Sequence, residues 1–418
     1  MPIPIPENRQ DSPTRICAPR SGVTRRTFLK GAGALGIAVA AIDMTGCKGG
    51  ASGSGAGDPT VVDSGAATDV IESYKSSDST PAVASTWTLS LGCVPRAAEG
   101  TWIPILATGN SADQMNKGSV LSLSSGSVAD VVTSCSSGDS GWVIFDVRCS
   151  DKVYAWVELN LVTRAWALFA QPFSDGALSG KATKLQDGDA AYDPPQVVCA
   201  GERVIWQTMP STSGKKTTEH SFCYVWGLGG SKASAVVDSP GRFGCAPSVS
   251  GSTITLVPRV NADEGTFYGI TAYDLSDDLS TTIDRLVLPS SVKPFYATRI
   301  GDDFAFSIEA NYDSGGLLGQ MGTYIGTSKG PFVTLSREPA AQVAGTKDGT
   351  FVIKSRASYF VVDTKEKTYA VLSAIDHALD YGEYPATEGL CSTFVTFSTV
   401  KDTETGYPAN VVVRAFGL

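Results

Sequence analysis

The sequence predicts an all-β fold, a β-propeller of four-stranded antiparallel blades, preceded by an N-terminal region that lacks a core of its own. Three observations carry that expectation. Pro195, Pro247, Pro294, Pro339 and Pro385 recur at separations of 52, 47, 45 and 46 residues. Each opens a similar phrase of a short strand, a glycine and a strongly apolar strand, as in Pro195-Gln-Val-Val-Cys-Ala-Gly-Glu-Arg-Val-Ile-Trp206. Helical periodicity is nearly absent across the same stretch, and turn residues break the apolar runs at short intervals.

Taken in chain order, residues 1–47 form the first element. Thr24-Arg25-Arg26-Thr27-Phe28-Leu29-Lys30 is followed by the apolar run Gly31–Ala41, which Asp43 closes. That run is about half of the roughly 20 apolar residues needed to cross a bilayer, so a permanent span is not expected. Arg25, Arg26, Phe28, Leu29 and Lys30 resemble the core of the twin-arginine (Tat) export signal, with Thr24 where that family prefers Ser. The resemblance implies export, with the Tat machinery as a partner. Cys47 follows Met44, Thr45 and Gly46 at the place where a lipoprotein signal puts its modified cysteine. This resemblance implies a lipid anchor on Cys47 and a position on the outer face of the membrane. The alternative is a soluble exported protein cut near the same small residues. Gly31-x-Gly33-x-x-Gly36 matches a dinucleotide fingerprint in letters only, since no strand precedes it. No cofactor is expected.

Residues 48–85 are rich in Gly, Ser, Thr, Asp and Ala, with few large apolar side chains. So little apolar surface cannot offset chain entropy, and the segment reads as a flexible tether spanning about 30 to 35 Å.

Residues 86–418 are the propeller domain. Gly201, Gly251, Gly301 and Gly389 each stand five positions before an apolar or aromatic residue, at Trp206, Leu256, Phe306 and Phe394. Proline fits the entry of a first strand, and glycine supplies the turn into the second. Pro339–Ile353 is a looser copy, and Val131–Phe145 matches without the proline. Further strands follow in each unit, such as Tyr154–Leu161 with Ala165–Pro172, and Ser358–Asp363 with Lys367–Leu372. One such sheet leaves apolar faces bare, and packing sheets radially covers them. Six starts are visible, so six blades are expected, with seven possible. Trp87–Leu91, Trp102–Ala107 and Ser119–Ser124 either close the last blade or form a seventh. The phrase resembles the repeats of TolB-like β-propellers over residues 130–418 in six copies, without that family's common Ser-Pro-Asp-Gly form. The resemblance implies an exported binding platform and transfers no catalytic residue.

Several constellations could carry chemistry. Gly138-Asp139-Ser140-Gly141 resembles the surroundings of a chymotrypsin-like nucleophile. That family places its histidine upstream of the serine, whereas His220 and His377 both lie downstream. A polar turn between the first two strands of a blade is the better reading. The sialidase Asp-box is matched only in part, by Ser137, Asp139, Gly141 and Trp142. Asp187, Asp189 and Asp193 read as a solvated acidic turn rather than a calcium loop. Asp376-His377 with Asp380 reads as a surface loop. No metal site is expected.

Loss of the segment through Asp43 removes six basic and three acidic residues and moves the formal charge from −9 to −12. An acidic surface repels nucleic acid, so no nucleic-acid partner is expected. With Cys47 lipidated and Cys17 removed, seven cysteines remain, an odd number, and Cys199, Cys223 and Cys391 fall in apolar strand phrases. These observations imply a membrane-tethered binding or scaffolding module for an envelope protein or glycan. The alternative is an extracytoplasmic glycan- or peptide-active hydrolase or lyase with its site in the funnel.

Overall fold

The computed structural model describes residues 67–418 except 99, 109–114, 139–140, 215, 217–218, 261–266, 290–291, 311–320, 357 and 376–381. Arg25, Arg26, Phe28, Leu29, Lys30 and Cys47 lie outside the described residues, as do Asp139, Ser140 and the Asp376–Asp380 group.

The described chain is strand after strand, with one four-residue helix, Val70–Ser73. It makes seven antiparallel blades. The first is Cys93–Pro95, Trp102–Thr108, Met115–Ser122 and Val128–Val132, and the second is Trp142–Cys149, Val153–Asn160, Trp166–Ser174 and Thr183–Gly188. The third is Gln196–Ala200, Arg203–Thr208, Ser221–Gly227 and Ser234–Ser239, and the fourth is Ser248–Ser250, Thr253–Leu256, Phe267–Asp274 and Thr282–Val287. Tyr296–Ile300, Asp303–Ile308, Gly322–Gly326 and Phe332–Leu335 form the fifth. Ala344–Gly345, Thr350–Ser355, Ser358–Asp363 and Thr368–Ser373 form the sixth. The seventh joins both ends of the domain: Glu383–Pro385, Thr393–Lys401 and Pro408–Gly417 take Val83–Ser90 as their outer strand.

The uncertain N-terminal strands therefore divide. Trp87–Leu91 falls largely in the strand that closes the last blade, whereas Trp102–Ala107 and Ser119–Ser124 belong to a sheet of their own, which brings the count to seven.

Alternating strand patterns put apolar side chains on both faces of each blade, and every face is covered by the next blade. Ile144 and Trp156 meet Leu106 and Val120 of the first blade, and Leu168 meets Val204 and Trp206 of the third. Ile205 and Val225 meet Ile254 and Leu256. Ile270 and Leu286 meet Phe304 and Phe306. Ala305 and Ile325 meet Phe351 and Ile353. Val352 and Tyr359 meet Phe394 and Phe416, and Val395 and Val413 meet Ile103 and Ile105. The last contact returns to the first blade and closes the ring. Burying one such large side chain contributes about 1.5 to 3 kcal/mol, so the inter-blade layers are the main source of stability. Trp226 belongs to these layers, and Trp166 packs with Val143 and Leu159 of its own blade against Tyr192; both are almost wholly buried.

In the third, fourth and fifth blades the predicted hairpin is present. Ala200 pairs with Arg203, Ser250 with Thr253 and Ile300 with Asp303, leaving a two-residue turn each time. Gly201, Gly251 and Gly301 occupy its first position at φ +52°, +60° and +62°, which glycine alone adopts cheaply.

Other parts of the predicted register are corrected. Val131–Phe145 straddles the end of the first blade and the start of the second rather than forming one hairpin. Gly138 and Gly141 accordingly lie between two blades instead of between the first two strands of one. Pro385 ends its strand instead of preceding it, and Gly389 is not in a hairpin turn.

The tether read over residues 48–85 also needs revision, because its described part is bound to the ring. Thr68–Asp69 adds a parallel strand to the outer edge of the fifth blade, and Lys75–Ser76 does the same on the sixth. Asp69 caps the short helix between them by accepting from the Ile71 and Glu72 amides. Val70 is fully buried between the fifth and sixth blades.

Candidate functional site

Polar contacts between innermost strands organise the middle of the ring. In the second blade, a bulge between Ile144 and Asp146 shifts the register of the inner strand. Beyond it the Asp146 carboxylate meets two cations. Arg96, just past the first strand of the first blade, lies 3.1 Å away, and Arg148 lies 3.1 Å away from its own strand. Arg148 Nε also donates to the Val197 carbonyl of the third blade at 2.9 Å. The inner strands of three blades are thereby joined.

A second network joins the next three. Ser248 Oγ and Tyr296 Oη are 2.8 Å apart, Ser248 Oγ donates to Thr298 Oγ1 at 3.0 Å, and Tyr296 Oη donates to the Val343 carbonyl at 3.4 Å.

The seventh blade supplies what lies between these networks. Its first strand stops at Pro385, and the chain leaves the sheet until Thr393. Gly389–Leu390 runs parallel to Ala344–Gly345 of the sixth blade, with Gly389 N–H donating to the Val343 carbonyl and Cys391 N–H to the Gly345 carbonyl, both at 2.9 Å. Leu390 N–H reaches Ser250 Oγ of the fourth blade at 3.0 Å. Residues 386–392 thus cross from one inner strand to another. Gly389 has φ +64°, and a Cβ there would collide with the Val249 carbonyl, so the close approach requires glycine.

The crossing places Glu388 near the middle. The residue is only half-buried, because it borders a cavity, yet protein surrounds it on every other side. Burial pushes its carboxyl up to about 7, against the pull of the Arg148 charge, the Tyr296 hydroxyl and the Val249 amide. Near neutral pH it can therefore either donate or accept a proton.

That cavity has a volume of about 620 Å³ and is lined by residues of the first, third, fourth and seventh blades. Glu388 stands in its wall, with Trp87 of the closing strand and hydroxyls such as Ser85, Thr101, Ser392 and Thr393. Glu388 is the sole ionisable carboxyl or cation among the described lining residues. Cys199 and Cys391 also line it, and burial pushes their thiols up to about 12 and about 11. Both stay protonated at neutral pH, in a form that is a poor nucleophile.

The residues singled out from the sequence are placed elsewhere. Asp187 pairs with Lys184 at 2.6 Å, Asp193 pairs with Arg242 at 2.8 Å, and Asp189 accepts from the Ala191 amide. The three do not converge. His220 Nδ1 lies 2.7 Å from Asp238 on the exposed edge of the third blade. Buried Glu158 accepts from the Ser136 and Ser137 amides and from Trp156 Nε1, which fastens the segment leading to Gly138. No group of three or more His, Cys, Asp or Glu is placed to hold a metal ion among the described residues.

Sequence reasoning missed Arg96, Asp146, Arg148 and Glu388. They are dispersed over nearly 300 residues of chain and share no motif. The usable signal was local: Asp146 and Arg148 interrupt an otherwise apolar strand, Trp142–Cys149.

No family model and no curated protein matches this chain. Among solved structures it is similar to a chain of the mitotic checkpoint complex, with TM-score 0.49 and 8% identity over 82% of this chain and 96% of that one. It is similar to a prolyl endopeptidase at TM-score 0.47 and 11% identity, covering 75% of this chain but 47% of that one. The β-propeller domain of the Trilobed protease from Pyrococcus furiosus is comparable, at TM-score 0.47 and 9% identity over 80% and 94% of the two chains.

Proposed function

We propose that this protein is an exported β-propeller, held at the outer face of a membrane through Cys47, that acts as a binding module for an envelope glycan or protein. The observation that carries the binding role is the cavity of about 620 Å³. Its size suits a small-molecule or side-chain ligand. Its walls come from strands and connections of four blades, including the outer strand Val83–Ser90 of the seventh, and the crossing 386–392 is secured by backbone hydrogen bonds to the sixth blade. Such a pocket is preorganised and loses little entropy on binding.

Export rests on Arg25, Arg26, Phe28, Leu29 and Lys30, and anchoring on Cys47. The Tat machinery would be the partner in transit. Intact mass of the mature protein should show an N-terminal acylated Cys47. A soluble form cut elsewhere would remove the anchor from this reading. Recovery from native membranes with the tethered protein as bait should enrich one envelope component. Enrichment of nothing, together with hydrolysis of envelope glycans by the pure protein, would reverse the assignment.

One observation favours the alternative of a glycan- or peptide-active hydrolase or lyase: a carboxyl with a pKa of about 7 in a cavity is suited to general acid catalysis. A glycoside hydrolase generally needs a second carboxylate across the scissile bond. The nearby Asp146 is occupied by Arg96 and Arg148. Binding is therefore preferred.

A further inference from the structure

We infer that the cavity beside Glu388 binds a short, uncharged oligosaccharide, which makes the glycan the ligand in the binding role proposed above. Three features of the wall argue for that chemistry. The first is hydroxyl content: Ser85, Ser392 and Thr393 line the cavity with hydroxyls that no described residue engages, so they are available to a ligand with many hydroxyls of its own. The second is Trp87. Gly126 lies close against the Cδ1–Nε1 edge of its indole, the ring packs on the layer between the seventh and first blades, and an aromatic surface complements the C–H face of a sugar ring.

The third is charge. Glu388 is the one ionisable carboxyl or cation on the described wall, and its surroundings include Arg148, Tyr296 and Cys245. Arg148 and Arg96 share Asp146, so this inner group carries one positive charge when Glu388 is protonated and none when it is ionised. When Glu388 is ionised an anion would meet its carboxylate at contact, and when it is protonated a cation would meet the net positive charge behind it. A neutral polyol avoids both penalties. A carboxyl able to donate or accept near neutral pH serves a sugar hydroxyl in either sense. The Thr101 hydroxyl is already committed to Asp151, donating to its carboxylate at 3.3 Å, and Thr387 Oγ1 accepts from the Val395 amide at 3.1 Å. These shape the site rather than bind.

The test is calorimetric titration of the full chain with uncharged trisaccharides built on glucose, galactose, mannose and N-acetylglucosamine, with benzylamine and benzoate as charged probes. At least one trisaccharide should bind and neither charged probe should. Glu388→Gln and Trp87→Ala should each weaken that binding by about tenfold. Thr393→Val removes little more than a hydroxyl and keeps the test decisive if either of the others fails to fold, with a loss of about fivefold expected. Binding of benzylamine or benzoate in place of all four sugars overturns the inference, as does sugar affinity unchanged in the variants or no sugar binding at all. If the sugars fail while a membrane protein is captured by the tethered chain, the oligosaccharide is wrong and the binding role survives.

Discussion

The third, fourth and fifth blades and the seventh are written with the same proline-and-glycine phrase and fold differently. In the regular blades a first strand of three to five residues turns back at once through a glycine. In the seventh the first strand has three residues, Glu383–Pro385, and seven more intervene before the second strand. The glycine dihedrals are nearly the same, +52° to +62° against +64°. Their surroundings are not. Space is open around Gly201 and Gly301, whereas Gly389 is pressed against the backbone of the fourth blade. One local conformation thus serves as a hairpin turn at the rim and as a close backbone contact in the middle. The difference creates the cavity wall.

The short first strand of the seventh blade has another anchor. Glu383 is fully buried and takes two hydrogen bonds from Arg414, at 2.8 and 2.5 Å, besides one from the Ile375 amide. Removing it by Glu383→Ala takes the carboxylate from a largely enclosed Arg414 guanidinium and leaves it the Ser373 carbonyl at 3.4 Å. We expect a loss of about 3 to 5 kcal/mol in urea unfolding, the largest single effect in this part of the molecule. A loss under about 1 kcal/mol would mean that the strand is held otherwise.

Gly389→Ala sharpens the comparison directly. Collision with the Val249 carbonyl should cost about 3 kcal/mol, against about 1 to 2 kcal/mol for Gly301→Ala, where only the positive φ is at stake. Equal losses at the two positions would erase the distinction between crossing and hairpin.

A smaller effect concerns pH. The folded Glu388 carboxyl lies at about 7, above its ordinary 4.5. The folded state therefore binds the proton more tightly than the unfolded chain does, and this contribution to stability is lost as pH rises from about 4.5 through about 7. The melting temperature of Glu388→Gln relative to the original protein should accordingly rise across that window and level off above it. A constant difference from pH 4 to 8 would place Glu388 in ordinary solvent.

Much of the fold was legible because its cause is local. A glycine turn between a short and an apolar strand needs only adjacent residues, so Gly201, Gly251 and Gly301 were read correctly. Gly389 was misread because its constraint comes from Val249, 140 positions away in the chain. Thr68, Asp69, Lys75 and Ser76 were read as tether for a similar reason. Their strands are two residues long and polar, and what holds them is the exposed edge of the fifth and sixth blades together with one buried side chain, Val70. The candidate site was illegible as a set, because Arg96, Asp146, Arg148 and Glu388 become neighbours only when the ring closes.

Native-state hydrogen exchange at Gly389, Leu390 and Cys391 tests the crossing most directly. All three amides have acceptors on other blades, Val343, Ser250 and Gly345. They should exchange as slowly as the amides of the strand Asp303–Ile308, with free energies of opening near the global value. Exchange at the rate of an unprotected surface loop would mean that residues 386–392 do not cross the centre of the ring, and the cavity wall with Glu388 would go with them.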